Sequence, residues 1–555
     1  MNTICFAVLA TVAATLTSRV GQAAAADPRP NIVFFYADDW GRVASCYADP
    51  ARPSPSDVVE TPNIDRVARE GVRFENAFFP CPQCTPCRGS LITGNYFWRC
   101  GSAANLQGGE WKTHPDPLAA LPKFPPLLAD SGYHTDRQHK TLGFTPTRGT
   151  GAGAVYPVGE FLRYGMHVSG GETASARDRR HRDVVDQTRN TILRALAERP
   201  ADKPFFFVFG PINTHRPYVR GSGRALWGIE PDALKGKLPA FLPDVPEVRE
   251  DMADYLGEVR ALDLMLGVFL EELRKAGVLD GTLLVLAGDN GPPGFPRGKT
   301  QLYDLGTAAP LIVRWPGRVK AGRTSNDLVN LMDLAPTFLE IAGVKPPASM
   351  DGRSLVPQLL ADRSGAIDPT RDHVIFGRER HYGTARAGNL PYPARAIRTR
   401  DFLYIRNFKP DRWPMGDPFG VTDATAPSDD ALRDDTAATF RDLDASPTKA
   451  WVVSHRDDAD GEKYYEYAFA KRPAEELYDL RKDPDQLHSV AAEAAYAGPK
   501  RELADRLSRV MRATKDPRLD DAFDRPPYVE EVPASAGRRK RGPAAKKVPK
   551  RGARP

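Results

Sequence analysis

Continuous apolar runs alternate with helical apolar spacing along the first two thirds of the chain. Runs without polar alternation predict strands that are buried on both faces; they cover residues 31–36, 205–209, 283–287 and 311–313. Apolar residues at helical spacing predict helices over residues 63–70, 250–276 and 334–342. This alternation predicts an α/β fold in which helices sandwich a mainly parallel central sheet.

The pattern changes beyond residue 370. Short alternating segments at 374–376, 396–398 and 402–405, followed by a helix around 501–511, predict a smaller antiparallel-sheet subdomain. The predicted organisation is therefore a signal peptide (1–26), a catalytic domain (27–365), a C-terminal subdomain (366–516) and a disordered basic tail (517–555).

The N-terminal apolar run predicts export. Residues 4–16 are apolar and are followed by an alanine-rich cleavage site ending at Asp27. A run of about 13 residues is shorter than the roughly 20 that a membrane span requires. We therefore expect a signal peptide, a secreted or periplasmic protein, and no membrane span.

The basic charge is confined to the C-terminal end. The net charge is +6, but residues 538–555 contain nine Lys or Arg and no acid, so the rest of the chain carries about −3. A tail rich in Pro, Gly and Ala is predicted to be a solvated appendage. A tether to polyanions such as sulfated glycan is the alternative. Because the tail has no interleaved aromatic residues, no nucleic-acid partner is predicted.

The cysteines allow two interpretations. Cys81, Cys84 and Cys87 have Cys-x-x-Cys spacing, which could indicate zinc, but a second pair and the histidines of a closed site are missing. Cys46, Cys81, Cys87 and Cys100 form an even set that is compatible with disulfides in an oxidising compartment. No pairing follows from the sequence.

Two acidic clusters follow predicted strands. Asp38 and Asp39 come directly after the first strand, and Asp289 and Asn290 follow a later one. Ligands of open α/β sheets collect at the carboxyl ends of strands. Three carboxylates and an amide there suit a hard cation such as Ca²⁺ or Mg²⁺. The alternative is that these residues only make turns or cap helices.

The segment from Cys84 to Gly94 predicts a helix with an anion site at its start. Pro86 suits the first helical turn, and Gly94 suits the end of the helix. Backbone N–H groups at a helix N-terminus favour an anion beside residue 84. Arg88, one turn further on, could hold an oxyanion through its planar fork.

The order Cys84-x-Pro86-x-Arg88 between the two acidic clusters gives the chain a specific resemblance. From about Arg29 to Asp516 it resembles the type I, formylglycine-dependent sulfatases of the alkaline-phosphatase-like superfamily. It is most similar to the heparan N-sulfatase (sulfamidase) branch, through residues 289–303 and 306–311.

The resemblance implies a role for each matching residue. Cys84 would be converted to formylglycine by a formylglycine-generating enzyme and would act as the nucleophile. Ca²⁺, rather than Mg²⁺, would be held by Asp38, Asp39, residue 84, Asp289 and Asn290. Arg88 would orient the nucleophile, Lys140 and Lys299 would contact sulfate, and His215 would protonate the leaving group.

Two positions depart from the family pattern. Leu142 stands where the family usually has a histidine, and His139 is expected to face the other side of its strand. Lys299 stands where sulfamidases carry an arginine; a lysine lacks the planar fork, which weakens the N-sulfate assignment relative to O-sulfate.

The expected activity is calcium-dependent hydrolysis of sulfate groups, the N-sulfate of glucosamine or an O-sulfate, on heparan-like sulfated saccharides. Glu379, His381 and Arg398 are predicted to bind the saccharide; the alternative is a solvated strand edge. A phosphodiester or phosphonate monoester hydrolase, or a weakly active sulfoglycan-binding protein, is the alternative function.

Overall fold

A computed structural model describes residues 29–105, 118, 120–139, 174–526 and 528–529. The predicted signal peptide, Lys140, Leu142 and the basic residues 538–555 lie outside this part of the chain. Within the described ranges, no helix is both long enough and apolar enough to cross a bilayer.

The large sheet has seven strands. The strands of the first part of the chain are β1 (Asn31–Ala37), β2 (Val72–Phe74), β3 (Ala77–Phe78), β4 (His134–His139), β5 (Phe205–Gly210), β6 (Thr282–Gly288), β7 (Leu311–Arg314), β8 (Arg323–Ser325) and β9 (Val329–Asn330). The order in the large sheet is β4-β5-β1-β6-β7-β2-β8, and β3 pairs with β9 in a separate two-stranded sheet. Strands β4, β5, β1 and β6 are parallel, whereas β7 is antiparallel to both β6 and β2.

Strand β1 lies at the centre of this sheet. Phe35 pairs with Phe209 of β5 on one side and with Leu286 of β6 on the other. Side chains of β1 face two separate apolar clusters, one on each face of the sheet. This explains why the run is apolar throughout instead of alternating, and it confirms the predicted mainly parallel sheet.

Thirteen α-helices are formed by the described residues: α1 (Pro62–Arg69), α2 (Cys84–Thr93), α3 (Phe124–Asp130), α4 (Ala174–Glu198), α5 (Ser222–Trp227), α6 (Pro246–Lys275), α7 (Asp304–Thr307), α8 (Leu334–Ile341), α9 (Val356–Leu360), α10 (Asp429–Asp434), α11 (Pro447–Ser454), α12 (Glu462–Phe469) and α13 (Ala497–Ala513). Helices α1, α6, α8 and α13 fall on the predicted segments. The 25-residue α4 was not predicted, because its buried residues are few and widely spaced among charged ones.

A second sheet forms the C-terminal subdomain. Its strands are β10 (His373–Arg378), β11 (Ala394–Thr399), β12 (Phe402–Asn407) and β13 (Glu475–Asp479), antiparallel and in that order. Leu503, Leu507 and Met511 of α13 pack with Ile397 and Tyr404 of this sheet. The predicted antiparallel subdomain is confirmed.

The folded chain continues past residue 516, where the disordered tail was predicted to begin. Residues 517–520 and 522–524 form two short 3₁₀ turns. Arg518 and Phe523 are buried there, with Arg518 paired to Glu379. The composition of the tail does not reveal where the folded part ends. The charge of Arg518 is neutralised by Glu379, 139 positions earlier in the chain, and no local pattern indicates that pairing.

Candidate active site

The carboxyl ends of β5, β1 and β6 lie side by side, and their following residues form one site. Asp38 and Asp39 follow β1, and Asp289 and Asn290 follow β6. Potential ligand atoms of Asp38, Asp39, Cys84 and Asp289 all lie within 4.8 Å of one another. All four residues are buried, so the sequence-predicted cluster is assembled by the fold.

The backbone turns sharply at Asp39 to direct its side chain inward. Asp39 has a φ of +56°, a left-handed conformation that aspartate tolerates better than most residues. Its backbone N–H donates to Asp289 Oδ1 at 2.8 Å, and Asn290 Nδ2 donates to Asp39 Oδ1 at 2.7 Å. The backbone after β1 passes close to the end of β6 at Gly288. Only a glycine fits there, because a Cβ would stand 1.9 Å from the carbonyl oxygen of Trp40.

Helix α2 places Cys84 against this cluster. The helix begins at Cys84 and ends before Gly94, whose φ of +64° is left-handed, as the sequence predicted. Cys84 Sγ lies 3.7 Å from Asp39 Oδ1. Cys87 instead contacts the hydroxyl of Tyr36 and does not belong to the ligand cluster. The described residues thus give no support to a three-cysteine zinc site, and no disulfide joins any two of their five cysteines.

Arg88 holds the carboxylates in place. Its Nε donates to Asp289 Oδ2 at 2.8 Å, its Nη2 lies 3.1 Å from Asp38 Oδ1, and the guanidinium stacks on Tyr36. Burial alone would lower the pKa of Arg88, but Asp289 and Asp38 raise it well above its ordinary value. The side chain therefore stays charged and orients two predicted metal ligands.

Lys299 is the second buried cation. Its Nζ lies 2.8 Å from Asp39 Oδ2 and 3.8 Å from Asp444 Oδ2. Burial opposes the charge, but Asp39 and the Cys84 position outweigh it and raise the pKa of Lys299. Lys299 is thus a fixed positive charge beside the predicted nucleophile.

His215 lies on the loop after β5, at the same edge of the sheet. Its Nδ1 is 2.6 Å from the carbonyl oxygen of Arg216, and its Nε2 is 3.8 Å from Asp39 Oδ2. Because a carbonyl only accepts, Nδ1 carries a proton and Nε2 is left to exchange one. Arg216 is anchored to Asp251 of α6 at 2.8 Å, which fixes the loop that carries the histidine.

The charges of this cluster do not balance. Three carboxylates, Asp38, Asp39 and Asp289, face two cations, Arg88 and Lys299. Asn290 Oδ1 is buried and has no hydrogen-bond partner among the described residues. An excess of anionic oxygen and an unpartnered amide oxygen are the donor set that a hard divalent cation requires, so the residues fit a metal ion.

The predicted saccharide-binding residues occupy different environments. Glu379 is fully buried, and its two oxygens are paired with Arg395 and Arg518, so its carboxylate is not available to a sugar. Arg398 pairs with Asp304 at 3.3 Å and lies over Phe78. Both side chains are thus engaged in ion pairs within the described residues, and their roles in saccharide binding stay predictions.

His381 lies near the cluster. It is buried, its Nδ1 has no hydrogen-bond partner within the described part of the chain, and burial together with the charge of Lys299 lowers its pKa to about 4. The side chain is therefore neutral at pH 7. Lys140, Leu142 and the side chain of His139 lie outside the described residues. What the sequence implies for these three positions therefore stays a prediction.

Asp444 is a site residue that the sequence analysis missed. It precedes α11 in an acid-rich segment, where aspartates ordinarily cap helices or face solvent. The structure places it 3.8 Å from Lys299, although 145 positions separate the two residues. No local sequence pattern could predict the contact between Asp444 and Lys299.

The chain is similar in sequence to known proteins. Over 89% of this chain and 91% of that protein, the chain is 28% identical to human N-sulphoglucosamine sulphohydrolase. It is 26% identical to an N-acetylglucosamine-6-O-sulfatase of Bacteroides thetaiotaomicron, over 70% of this chain and 80% of that protein.

Solved structures share the fold. One, described as a complex with its substrate D-glucosamine-2-N,6-O-disulfate, superposes with a TM-score of 0.59 at 20% identity, covering 90% of this chain and all of that one. The phosphonate monoester hydrolase of Agrobacterium radiobacter superposes at 0.57 with 19% identity, covering 88% and 96%. Family profiles described as "Sulfatase" and as "N-sulphoglucosamine sulphohydrolase, C-terminal" match residues 30–344 and 297–418.

Proposed function

The chain belongs to the sulfatase family, and we propose that it removes the N-sulfate of glucosamine, or an O-sulfate, from sulfated glycans such as heparan-like saccharides. The observation that carries the proposal is the position of Cys84, at the start of α2 and 3.7 Å from Asp39 in a cluster of metal-ligand atoms. The family match implies that Cys84 is converted to formylglycine. Its likeness to glucosamine sulfatases supports the saccharide.

The proposed reaction has two covalent steps. One hydroxyl of the hydrated aldehyde at residue 84 attacks sulfur, and the bond from sulfur to the substrate nitrogen or oxygen breaks as the leaving group takes a proton. The second hydroxyl then loses its proton, the carbon–oxygen bond to sulfate breaks, and the aldehyde forms again. Water rehydrates the aldehyde, so the net reaction consumes one water for each sulfate released.

The neighbouring side chains have distinct tasks in this proposal. Asp38, Asp39, Asp289 and Asn290, together with residue 84, would hold Ca²⁺, which supplies charge stabilisation at the sulfate oxygens. Lys299 neutralises charge beside the nucleophile. His215 Nε2, once protonated, would give a proton to the leaving group, a type of proton transfer that contributes roughly 10²–10⁴-fold to reaction rates.

The first test is the mass of the peptide that contains residue 84, from protein purified from its natural host. Conversion of the thiol to an aldehyde removes about 18 Da. The same protein is then assayed for sulfate release from glucosamine N-sulfate and glucosamine 6-sulfate, with Cys84→Ala as the inactive control. Active protein with an unmodified Cys84 would refute the covalent mechanism.

The alternative functions give different results in the same assay. A phosphonate monoester hydrolase would turn over an aryl phosphonate monoester faster than any sulfated glucosamine. A binding protein would retain sulfated glucosamine without releasing sulfate, even with residue 84 converted and Ca²⁺ present. Either result replaces the proposed activity.

A further inference from the structure

A histidine and an aspartate are partly exposed at the edge of the buried cluster. Asp39 and Lys299 are almost fully inaccessible, with side-chain exposures of 0% and 3%, whereas His215 and Asp444 are exposed by 29% and 18%. His215 and Asp444 therefore present surface to solvent beside the buried Lys299. The proposed mechanism assigns proton transfer to His215 and assigns no role to Asp444.

The segment that carries Asp444 is rigidly held. Lys449 donates to the carbonyl oxygens of Thr439 at 2.7 Å and Leu443 at 2.9 Å. Asp442 is buried and pairs with Arg378 and Arg386, at 2.9 and 2.7 Å. The backbone on the N-terminal side of Asp444 is therefore fixed by several independent bonds.

A further bond ties the segment to the catalytic domain. Ser446, two residues beyond Asp444, donates to the carbonyl oxygen of Gly294 at 2.7 Å. Gly294 lies in the loop between Asn290 and Lys299. The position of Asp444 relative to the site is thus set from both sides.

The carboxylate of Asp444 is left without a hydrogen bond among the described residues. Its nearest cation is Lys299, at 3.8 Å, which already donates to Asp39 at 2.8 Å. Burial on its own would raise the pKa of Asp444, but Lys299, His215 and His381 outweigh burial and lower it to about 2. Asp444 is therefore an anion at neutral pH, on a rigid support, with unused acceptor capacity.

The carboxylate of Asp444 repels the sulfate group of a substrate. Asp444 is therefore expected to contact another part of the substrate. We infer that Asp444 receives the substrate nitrogen: it accepts a hydrogen bond from the sulfamate N–H and stabilises the ammonium that forms there. The inference deepens the proposed function and rests on it, because it names the group to which the sulfate is attached.

The charge balance of the reaction supports this assignment. Hydrolysis of a glucosamine N-sulfate with one water yields sulfate and a glucosamine whose nitrogen has become an ammonium. Hydrolysis of an O-sulfate leaves a neutral hydroxyl. Positive charge thus develops on the leaving atom only for the N-sulfate, and a preorganised carboxylate stabilises charge that develops in the transition state. Asp444 therefore favours N-sulfate over O-sulfate.

The decisive experiment compares wild type with Asp444→Asn, as full-length protein in Ca²⁺. We expect kcat/KM for glucosamine N-sulfate to fall by about 10- to 100-fold, the range for a hydrogen bond to a charged group. For 4-nitrophenyl sulfate, whose leaving group is never cationic, we expect less than about a twofold change on the same grounds. An equal loss on both substrates, or no loss on either, would overturn the assignment.

A matched control and a second variant exclude a folding defect. Asp423→Asn makes the same change at an exposed aspartate of the same subdomain and should leave both substrates unaffected. Asp444→Ser should reproduce the selectivity of Asp444→Asn. Because Lys299 and the neighbouring cationic groups favour the anionic form of Asp444, both variants should lower the melting temperature by a similar, small amount and keep a single cooperative transition.

Product binding separates this inference from the proposed activity. Calorimetric titration of Cys84→Ala with glucosamine and with glucose should show tighter binding of the amine, and the double variant Cys84→Ala/Asp444→Asn should lose that preference. If wild type releases sulfate from no sulfated glucosamine, the proposed function fails, but this titration still tests Asp444. A preference for glucosamine that survives the substitution refutes the inference.

Discussion

Two clusters of buried charge differ in how they are neutralised. In the C-terminal subdomain, Arg395 lies 2.8 Å from Glu379 and 2.7 Å from Asp516, and Arg518 lies 2.5 Å from Glu379. Among the members with almost no exposed surface, two cations thus match two carboxylates. Arg518 also contacts the more exposed Asp521 and Asp524, at 3.0 and 2.9 Å.

At the edge of the large sheet the balance is different. The three carboxylates Asp38, Asp39 and Asp289 exceed the two cations, and an amide oxygen of Asn290 has no partner among the described residues. A buried ion pair whose groups are all satisfied holds a fold together, whereas an unbalanced one is stable only when something else binds. The comparison separates the ion-paired glutamate of the subdomain from the aspartates proposed to hold a metal ion, although both kinds of acid are buried.

The largest effect is expected when the unbalanced cluster loses a carboxylate. Asp39→Asn keeps the size and the backbone preference of the residue but removes a metal-ligand charge. We expect sulfate release to fall by about 10³-fold, since charge stabilisation by a bound metal contributes several kcal/mol. Steady-state assays with saturating Ca²⁺ measure this loss.

Thermal unfolding of the same variant tests the charge balance directly. Ca²⁺ at 100 times its dissociation constant should stabilise the wild type by about 2.7 kcal/mol, and it should stabilise Asp39→Asn by much less. In EDTA the variant should be only slightly less stable than the wild type, because the loss of one excess negative charge offsets much of the loss of the ion pair between Asp39 and Lys299. A variant that is strongly destabilised in EDTA would mean that the cluster is balanced without a cation.

The balanced cluster should respond in the opposite way. Glu379→Gln leaves Arg395 and Arg518 buried with one carboxylate fewer, which should cost about 3–5 kcal/mol of unfolding free energy. Chemical denaturation measures this loss, and kcat per folded molecule should stay near the wild-type value. Glu502→Gln, at a glutamate 69% exposed and 3.8 Å from Arg506, is the control and should cost less than about 0.5 kcal/mol. A change in KM without a loss of stability would return Glu379 to the saccharide site.

Lys449 is a buried lysine that donates hydrogen bonds to carbonyl oxygens instead of pairing with a carboxylate. Its expected effect on stability is smaller than that of the two clusters. Burial lowers its pKa to about 7, against the opposing charges of Asp444 and Asp435. The unfolded chain then binds more protons than the folded one between pH 7 and 10.5, so stability rises with pH in that window. The slope is at most about 1.4 kcal/mol per pH unit.

The contribution of Lys449 is the difference in unfolding free energy between the wild type and Lys449→Met, measured by denaturation at pH 7 to 10. The variant should lack the rising slope. Parallel curves would show that the carbonyl oxygens of Thr439 and Leu443 are sufficient to keep the ammonium charged.

The sequence predicted those elements whose signal is local. The buried strands β1, β5 and β6 are continuous apolar runs, and α2 is delimited by Pro86 and Gly94, so a short window identifies each. The short strands β2 and β8, at one end of the large sheet, were not predicted, because three residues with an arginine among them do not show a period. Their pairing is set by neighbours far along the chain.

The same limit applies to the site. The metal ligands and Cys84 were predicted because their motifs are short and lie directly after strands or at a helix start. Asp444 was missed, and Glu379 was assigned to the substrate, because burial and ion pairing are decided by residues more than 100 positions away. The residue type alone does not show whether a charged side chain binds a ligand or forms an intramolecular salt bridge.

The burial of Cys84 also sets an order of events in the making of the protein. The side chain begins α2, is 4% exposed and lies behind the aspartates that follow β1 and β6. A second enzyme that oxidises this residue has to reach it with its own active site, which the closed fold prevents. If Cys84 is the modified residue, as proposed above, the modification would have to come before the sheet closes over α2, so the newly made chain would have a limited time in which to become an active enzyme.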